Sequence, residues 1–196
     1  MTEDPRITFT REKALKASQK ILLENGVLAL NHGAVSKATG ISRSTLYRHW
    51  ADVKTLRDAT FRRIATPQNV APRTDGPLRA DLLWLLGILV DALNETPWGR
   101  VAPHVIAAST SDEEAKQVIT GFMKDRFAFV EAVFQAAIER GEIHATAPIN
   151  QLIEVAISVP YFRKLVLHEP LNQHWLEQHV DQICRMAHFA AGNTKE

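Results

Sequence analysis

Apolar residues recur along this chain at helical spacing rather than strand spacing. Ala14, Ala17, Ile21 and Leu28 fall on one face with Leu15 and Leu22 beside them, which predicts a first helix starting at Thr8 or Thr10 and stopped by Gly26. A short helix is expected between Asn31 and Thr39, a third from Arg43 to about Trp50, and a fourth from an Asp52 cap to about Ala65. Pro67 to Pro77 carries three prolines and a glycine and reads as a linker, placing a domain boundary between residues 66 and 67. Beyond it, Leu78 to Leu93 is apolar almost all round and predicts a buried central helix. Pro97, Gly99 and Pro103 predict a broken region containing a short helix from His104 to Ala108.

Ser111 to Arg140 repeats Val118, Ile119, Phe122, Met123, Val130, Val133, Phe134, Ala137 and Ile138 as one long amphipathic helix ended by Gly141. Ile149 to Leu167 is strongly apolar, and Pro160 inside it is expected to kink or open the helix. Pro170 sets off a last helix, about Asn172 to Ala191. No alternating β-branched run and no hairpin signal appears. The expected fold is all-α: an N-terminal three-helix unit over residues 1–66 and a larger helical domain over residues 67–196.

The turn between the second and third helices explains its own residues. Gly40 stands where the chain must take the left-handed conformation, which glycine adopts at least cost. Ile41 can reach back to Val35, Ser42 caps the next helix, and Ile41 and Leu46 have the spacing of a hydrophobic staple. The result is a helix-turn-helix. At about 100° per residue, an inward Leu46 leaves Ser44 and Arg48 facing out, flanked by Thr45 and Tyr47, with Arg43, His49 and Trp50 nearer the core. No carboxylate intrudes on this face, and its donors suit a DNA backbone and major groove. An ordinary solvated helix is the plainer alternative.

Composition sharpens this reading. With 196 residues, 45% of them hydrophobic, the chain can bury a core without covalent staples. One cysteine, Cys184, allows no internal disulfide and is expected in the core between Ile183 and Met186. The first residues do not resemble a signal peptide, and the longest apolar run, Leu82 to Val90, falls short of the ~20 residues of a membrane span, so a cytoplasmic location is expected. The net charge of +1 conceals an asymmetry. Up to Thr66 there are twelve Lys and Arg against six Asp and Glu; from Pro67 onward there are eleven against sixteen. A polyanionic partner for the first part alone is the expectation.

The stretch "GISRSTLYRHW", residues 40–50, with Val35 before it and Leu56 after it, resembles the DNA-binding domain of the TetR family of bacterial transcriptional repressors over Lys13 to Leu56. "VPYFRKLVLHEPL", residues 159–171, is similar to a segment of many members' C-terminal domains. The resemblance implies that Arg43, Ser44 and Thr45 approach bases or adjacent phosphates, and that Tyr47 and His49 bond the phosphate backbone. Arg48 suits guanine by its own chemistry. The family often has Thr where Asn31 stands and Lys where Val53 stands; Lys54 is the candidate replacement for the latter. The resemblance further implies a ligand-responsive repressor that binds a palindromic operator as a homodimer and is released by a small molecule.

Candidate interface residues between residues 149 and 191 are Leu152, Val155, Ile157, Val159, Leu165, Val166, Leu176, Val180, Ile183 and Phe189, though a monomer core would look alike. Candidate effector contacts are Trp84, Trp98, His104, Phe122, Phe127 and Tyr161, although a plain core role is the more ordinary reading of each. The competing class is a helical small-molecule-binding or metal-dependent enzyme. His174, Glu177, His179 and His168 invite a metal, but His179 falls on another face from His174, and no H-E-x-x-H motif, nucleophile elbow or phosphate-cradling glycine loop is present. No cofactor, metal or catalytic residue is expected.

Overall fold

A computed structural model describes residues 5–65 and 71–189. In chain order it holds α1 (Pro5–Asn25), a 3₁₀ turn (Val27–Ala29), α2 (His32–Thr39), α3 (Arg43–His49) and α4 (Val53–Ala65). These are followed by α5 (Leu78–Glu95), α6 (Pro97–Ser109), α7 (Glu113–Glu139), α8 (Ile149–Leu165) and α9 (Gln173–Phe189). The fold is all-α, with no strand among the described residues. The expected boundary at Pro67, the side chains of Val118 and Phe189, and the expected end of the last helix at Ala191 lie outside the described residues.

Local signals set most helix ends. Asn31 Oδ1 accepts the Ala34 N–H at 3.0 Å and starts α2. Asp52 and Thr55 cap α4 reciprocally, the Thr55 N–H donating to Asp52 Oδ1 at 2.7 Å and the Asp52 N–H to Thr55 Oγ1 at 3.3 Å. Asn172 Oδ1 takes the Trp175 N–H at 2.9 Å at the head of α9. Gly26, Gly40 and Gly141 all have positive φ and follow α1, α2 and α7.

Three helices differ from expectation, each at a proline. α1 already includes Pro5, ahead of the expected start at Thr8 or Thr10. Residues 97–109 form one helix, not a broken region with a short piece from His104. Pro97 occupies the first position, Thr96 caps it by accepting the Trp98 N–H at 3.2 Å, and Pro103 removes only one interior bond. α8 likewise runs on through Pro160.

The described residues within Met1–Asn69 and Thr96–Phe122 form one compact unit, and those within Val70–Glu95 and Met123–Glu196 form a second. In the first, α1 packs on α2 and α4, and α6 packs on α1, the 3₁₀ turn and α4. Leu22, Leu30, Val35, Leu46, Leu56, Val101 and Val105 are wholly enclosed. Arg57 is also buried, and its Nε donates to the Leu30 carbonyl at 3.2 Å, fixing the chain just before α2.

In the second unit α5 packs on α8 and α9 and shares a core of Leu82, Leu86, Val133, Phe134, Leu152, Val180 and Ile183. Arg140 donates to the Thr74 carbonyl at 2.5 Å, and Glu142 accepts the Leu78 N–H at 2.7 Å, which anchors the start of α5. This packing corrects part of the expected subunit interface. Leu152, Ile157, Leu176, Val180 and Ile183 are already buried inside the unit. Val155, Val159 and Leu165 are half-buried and Val166 is exposed. The apolar side chains left open here are Phe162, Val166, Leu167 and Met186. Cys184 is half-buried rather than in the core, and burial pushes its thiol above the usual range.

Candidate nucleic-acid interface

α3 is only seven residues long, so its placement depends on what holds its two ends. At the start, Gly40 adopts φ 73° and its N–H closes α2 on the Ser36 carbonyl at 2.9 Å. Ser42 then caps α3, accepting the Thr45 N–H at 3.2 Å, while its hydroxyl also meets Ser44 Oγ at 3.0 Å and Thr45 Oγ1 at 2.8 Å. In the middle, Leu46 is wholly buried. At the end, Trp50 is buried and its N–H closes on the Leu46 carbonyl at 2.9 Å.

These anchors leave Arg43, Ser44, Tyr47 and Arg48 exposed, with Thr45 and His49 half-buried. Arg43 differs from its expected position near the core. A helix's first residue precedes the first full turn, so periodicity constrains it least, and here its guanidinium lies over Gly33 of α2. A Cβ added to Gly33 would stand 3.1 Å from Arg43 Nη2. Lys54 is exposed in the first turn of α4, and Val53 is half-buried. The structure thus gathers five of the sequence-named residues and their two partly covered neighbours around α3 and the start of α4, with Trp50 as the inner anchor.

Asp52, beside this face, is held below the usual carboxylate range mainly by the Thr55 backbone N–H and then its hydroxyl. On α4 burial raises Asp58. The acid that follows α3 in the chain is thereby committed to a cap. A residue that sequence reasoning passed over organises the region: His32, the first residue of α2, is buried, bonds Trp50 O and stacks on Tyr47. Its only sequence signal was its place between the Asn31 cap and Gly33.

The six expected effector contacts divide between the units. Trp98, His104 and Phe122 belong to the first; Trp84, Phe127 and Tyr161 belong to the second. Trp98 is buried, and its ring lies 4.6 Å from Phe122 at 48° and 6.3 Å from Phe61 of α4, edge-on at 82°. Phe61 was not singled out from the sequence. His104 is exposed, Trp84 and Phe127 are half-buried, and Tyr161 is buried. Arg73 covers the Trp84 ring at 4.8 Å. Of the histidines considered for a metal, His174 and His168 are exposed, whereas His179 is buried, meets the Ala156 carbonyl at 3.3 Å, and stacks on Trp175 at 5.0 Å. No helix among the described residues is long and apolar enough to cross a membrane.

Known proteins share this layout. The family described as "Tetracyclin repressor-like, C-terminal domain" matches residues 72–183. An uncharacterised HTH-type transcriptional regulator of Mycobacterium bovis is 26% identical over 185 residues, covering 92% of this chain and 89% of that protein. A DNA-binding transcriptional repressor TetR of Mycobacteroides abscessus is 26% identical over 176 residues, covering 89% and 92%. Among solved structures, a TetR family transcription regulator superposes with a TM-score of 0.66 at 24% identity, over 90% of this chain and 97% of its own.

Proposed function

Because the chain belongs to the TetR family of DNA-binding transcriptional regulators, we propose that it is a repressor, not an enzyme, that binds a palindromic operator as a homodimer and is released by a small molecule. Residues 1–66 act as the DNA-binding domain and residues 67–196 as the effector-binding and dimerisation domain. The observation that carries this reading is the carboxylate-free face of α3. Arg43, Ser44, Tyr47 and Arg48 are exposed on a helix whose own anchors, Leu46 and Trp50, are buried. Arg48 reads a base edge, Tyr47 and His49 hold phosphates, and Lys54 adds a further phosphate contact.

Dimerisation uses the apolar side chains that α8 and α9 leave open, Phe162, Val166 and Met186. Two copies then present two copies of α3, which accounts for a two-fold symmetric operator. The effector acts beside Trp98 and Phe122, within the unit that carries α4. It acts by favouring one placement of α4 over another, which requires that it bind the two placements with different affinity. Phe61, Trp98 and Phe122 supply the route on the DNA-binding side, since they form an unbroken ring contact from α7 through α6 to α4.

The experiment is selection of bound duplexes from random DNA, followed by titration of the selected site against salt. With ~4 phosphate contacts per subunit, log K falls against log salt with a slope of about −7 for a dimer. A slope near zero, or no selected site, refutes the proposal.

A further inference from the structure

His32 sits at the base of the reading head with three separate relations to α3. It is 2% exposed. Its Nε2 lies 2.9 Å from the Trp50 carbonyl. Its ring lies 4.1 Å from the Tyr47 ring at 18°, a parallel stack. A carbonyl oxygen only accepts, so Nε2 is the nitrogen that carries a proton. The acceptor is one of the carbonyls that the end of a helix leaves without an internal partner. His32 therefore satisfies the terminal carbonyl of α3 while its flat face supports a side chain that is itself 50% exposed.

A plain core role asks less of this position. A leucine or isoleucine would fill space at the first turn of α2. Only a flat ring with an N–H on its edge can stack under Tyr47 and reach Trp50 O together. The neighbouring residue completes the seat: Gly33 has no side chain, and the Arg43 guanidinium occupies the space over it. Consecutive residues of α2 thus meet both ends of α3, Arg43 at its start and Tyr47 with Trp50 at its finish.

We propose that His32 is a positioning residue for DNA recognition: it holds the Tyr47 ring by stacking and the end of α3 by its Nε2–H, so that α2 sets how Tyr47 is presented to the phosphate backbone. This rests on the reading of α3 as the DNA-contacting helix.

Two variants separate the two relations. H32Q keeps an N–H donor and loses the ring; H32F keeps the ring and loses the donor. Each is made alone and together with Y47A, and affinity is measured on the duplex selected by the wild-type protein. H32Q alone is expected to weaken binding roughly twofold to tenfold, the range of one aromatic stack, and to add nothing once Tyr47 is absent. H32F is expected to weaken binding about fivefold whether or not Tyr47 is present, because it acts through the helix end. A merely structural histidine lowers thermal stability in all variants, and its losses add to that of Y47A. An H32Q loss that adds to that of Y47A, or H32Q binding like wild type, overturns the proposal while leaving the DNA-binding reading intact. A wild-type protein that selects no duplex overturns that reading first. Should H32Q not fold, proton NMR of the wild-type protein decides: the stack predicts upfield-shifted Tyr47 ring protons, and unshifted ones refute it.

Discussion

Replacing Gly40 with alanine tests the turn that aims α3, and comparison with Gly33 separates stability from recognition. Gly40 holds φ 73°, and an added Cβ meets nothing within 4 Å. The penalty is therefore conformational alone, about 1–2 kcal/mol for a side chain forced into the left-handed region. The N–H to Ser36 bond at 2.9 Å is retained, so no hydrogen-bond loss is added. G40A is expected to lower the unfolding free energy by that amount, read from the shift in urea midpoint at constant slope. G40N is expected to recover part of it, since Asn tolerates this conformation. At temperatures where both proteins are folded, DNA affinity per folded molecule stays at the wild-type value.

Gly33 has no positive φ, but its added Cβ would stand 3.1 Å from both Arg43 Nη2 and Asn31 Oδ1. G33A is expected to change stability by no more than about 0.5–1 kcal/mol, helix propensity offsetting the crowding, while displacing Arg43 and weakening DNA binding. A G40A protein that loses no stability, one that loses more than about 3 kcal/mol, or an exchange of effects between the two variants refutes this role for the turn.

Arg48→Ala is expected to cost about 1–3 kcal/mol of operator binding and relax a single base position, whereas Tyr47→Phe weakens binding to all duplexes alike; binding competitions across a site library distinguish them. Glu142 is held below the ordinary value of 4.5, first by the Leu78 N–H and then by Arg140. Its contribution to stability is therefore complete above that value and is lost as pH falls through the depressed pKa. Glu142→Gln should flatten the acid limb of a denaturation-versus-pH curve, and an unchanged limb refutes the assignment. Phe162→Glu and Val166→Asp alter exposed positions and should shift the protein to monomer in light scattering while circular dichroism keeps its helical signal; a persistent dimer moves the interface elsewhere.

Helix ends around the reading head were legible because their causes are local. Gly26, Asn31, Gly40, Ser42 and Asp52 each act within four residues of their own position. The proline-rich stretch at 97–103 misled because a proline's effect depends on where in a helix it falls. Pro97 is at the first position and opens a helix where composition alone suggests a break. Burial on α8 and α9 was legible only in kind. Periodicity finds the apolar face, but whether α5 or a second subunit covers Leu176 and Val180 is a tertiary matter, and interiors and interface cores share a composition. Within α3, with Leu46 taken as inward, the 100° rule placed Ser44, Tyr47 and Arg48, and failed for Arg43, the helix's first residue. His32 carried no periodic signal, since what it does is stack on Tyr47, fifteen residues away, and bond Trp50 O across eighteen.

The same distinction bears on how a ligand would be felt at α3. α4 is capped by side chains of its own first turn, and Arg57 ties its interior to Leu30. Those links hold α4 to the segment that leads into α2, so α4 cannot shift alone without loosening the seat of the reading helix. The far end of α4 has a different attachment: Phe61 meets Trp98 edge-on, and Trp98 meets Phe122. Ring contacts of this kind slide or tilt at a cost of about 0.5–1.5 kcal/mol, less than breaking the polar links at the start of the helix together. An effector that displaces Trp98 or Phe122 therefore acts on the softer end of α4 and moves α2 and α3 with it as one body. In the proposed mechanism, release follows from displacing the whole reading head and leaves Arg43, Tyr47 and Arg48 in their mutual arrangement.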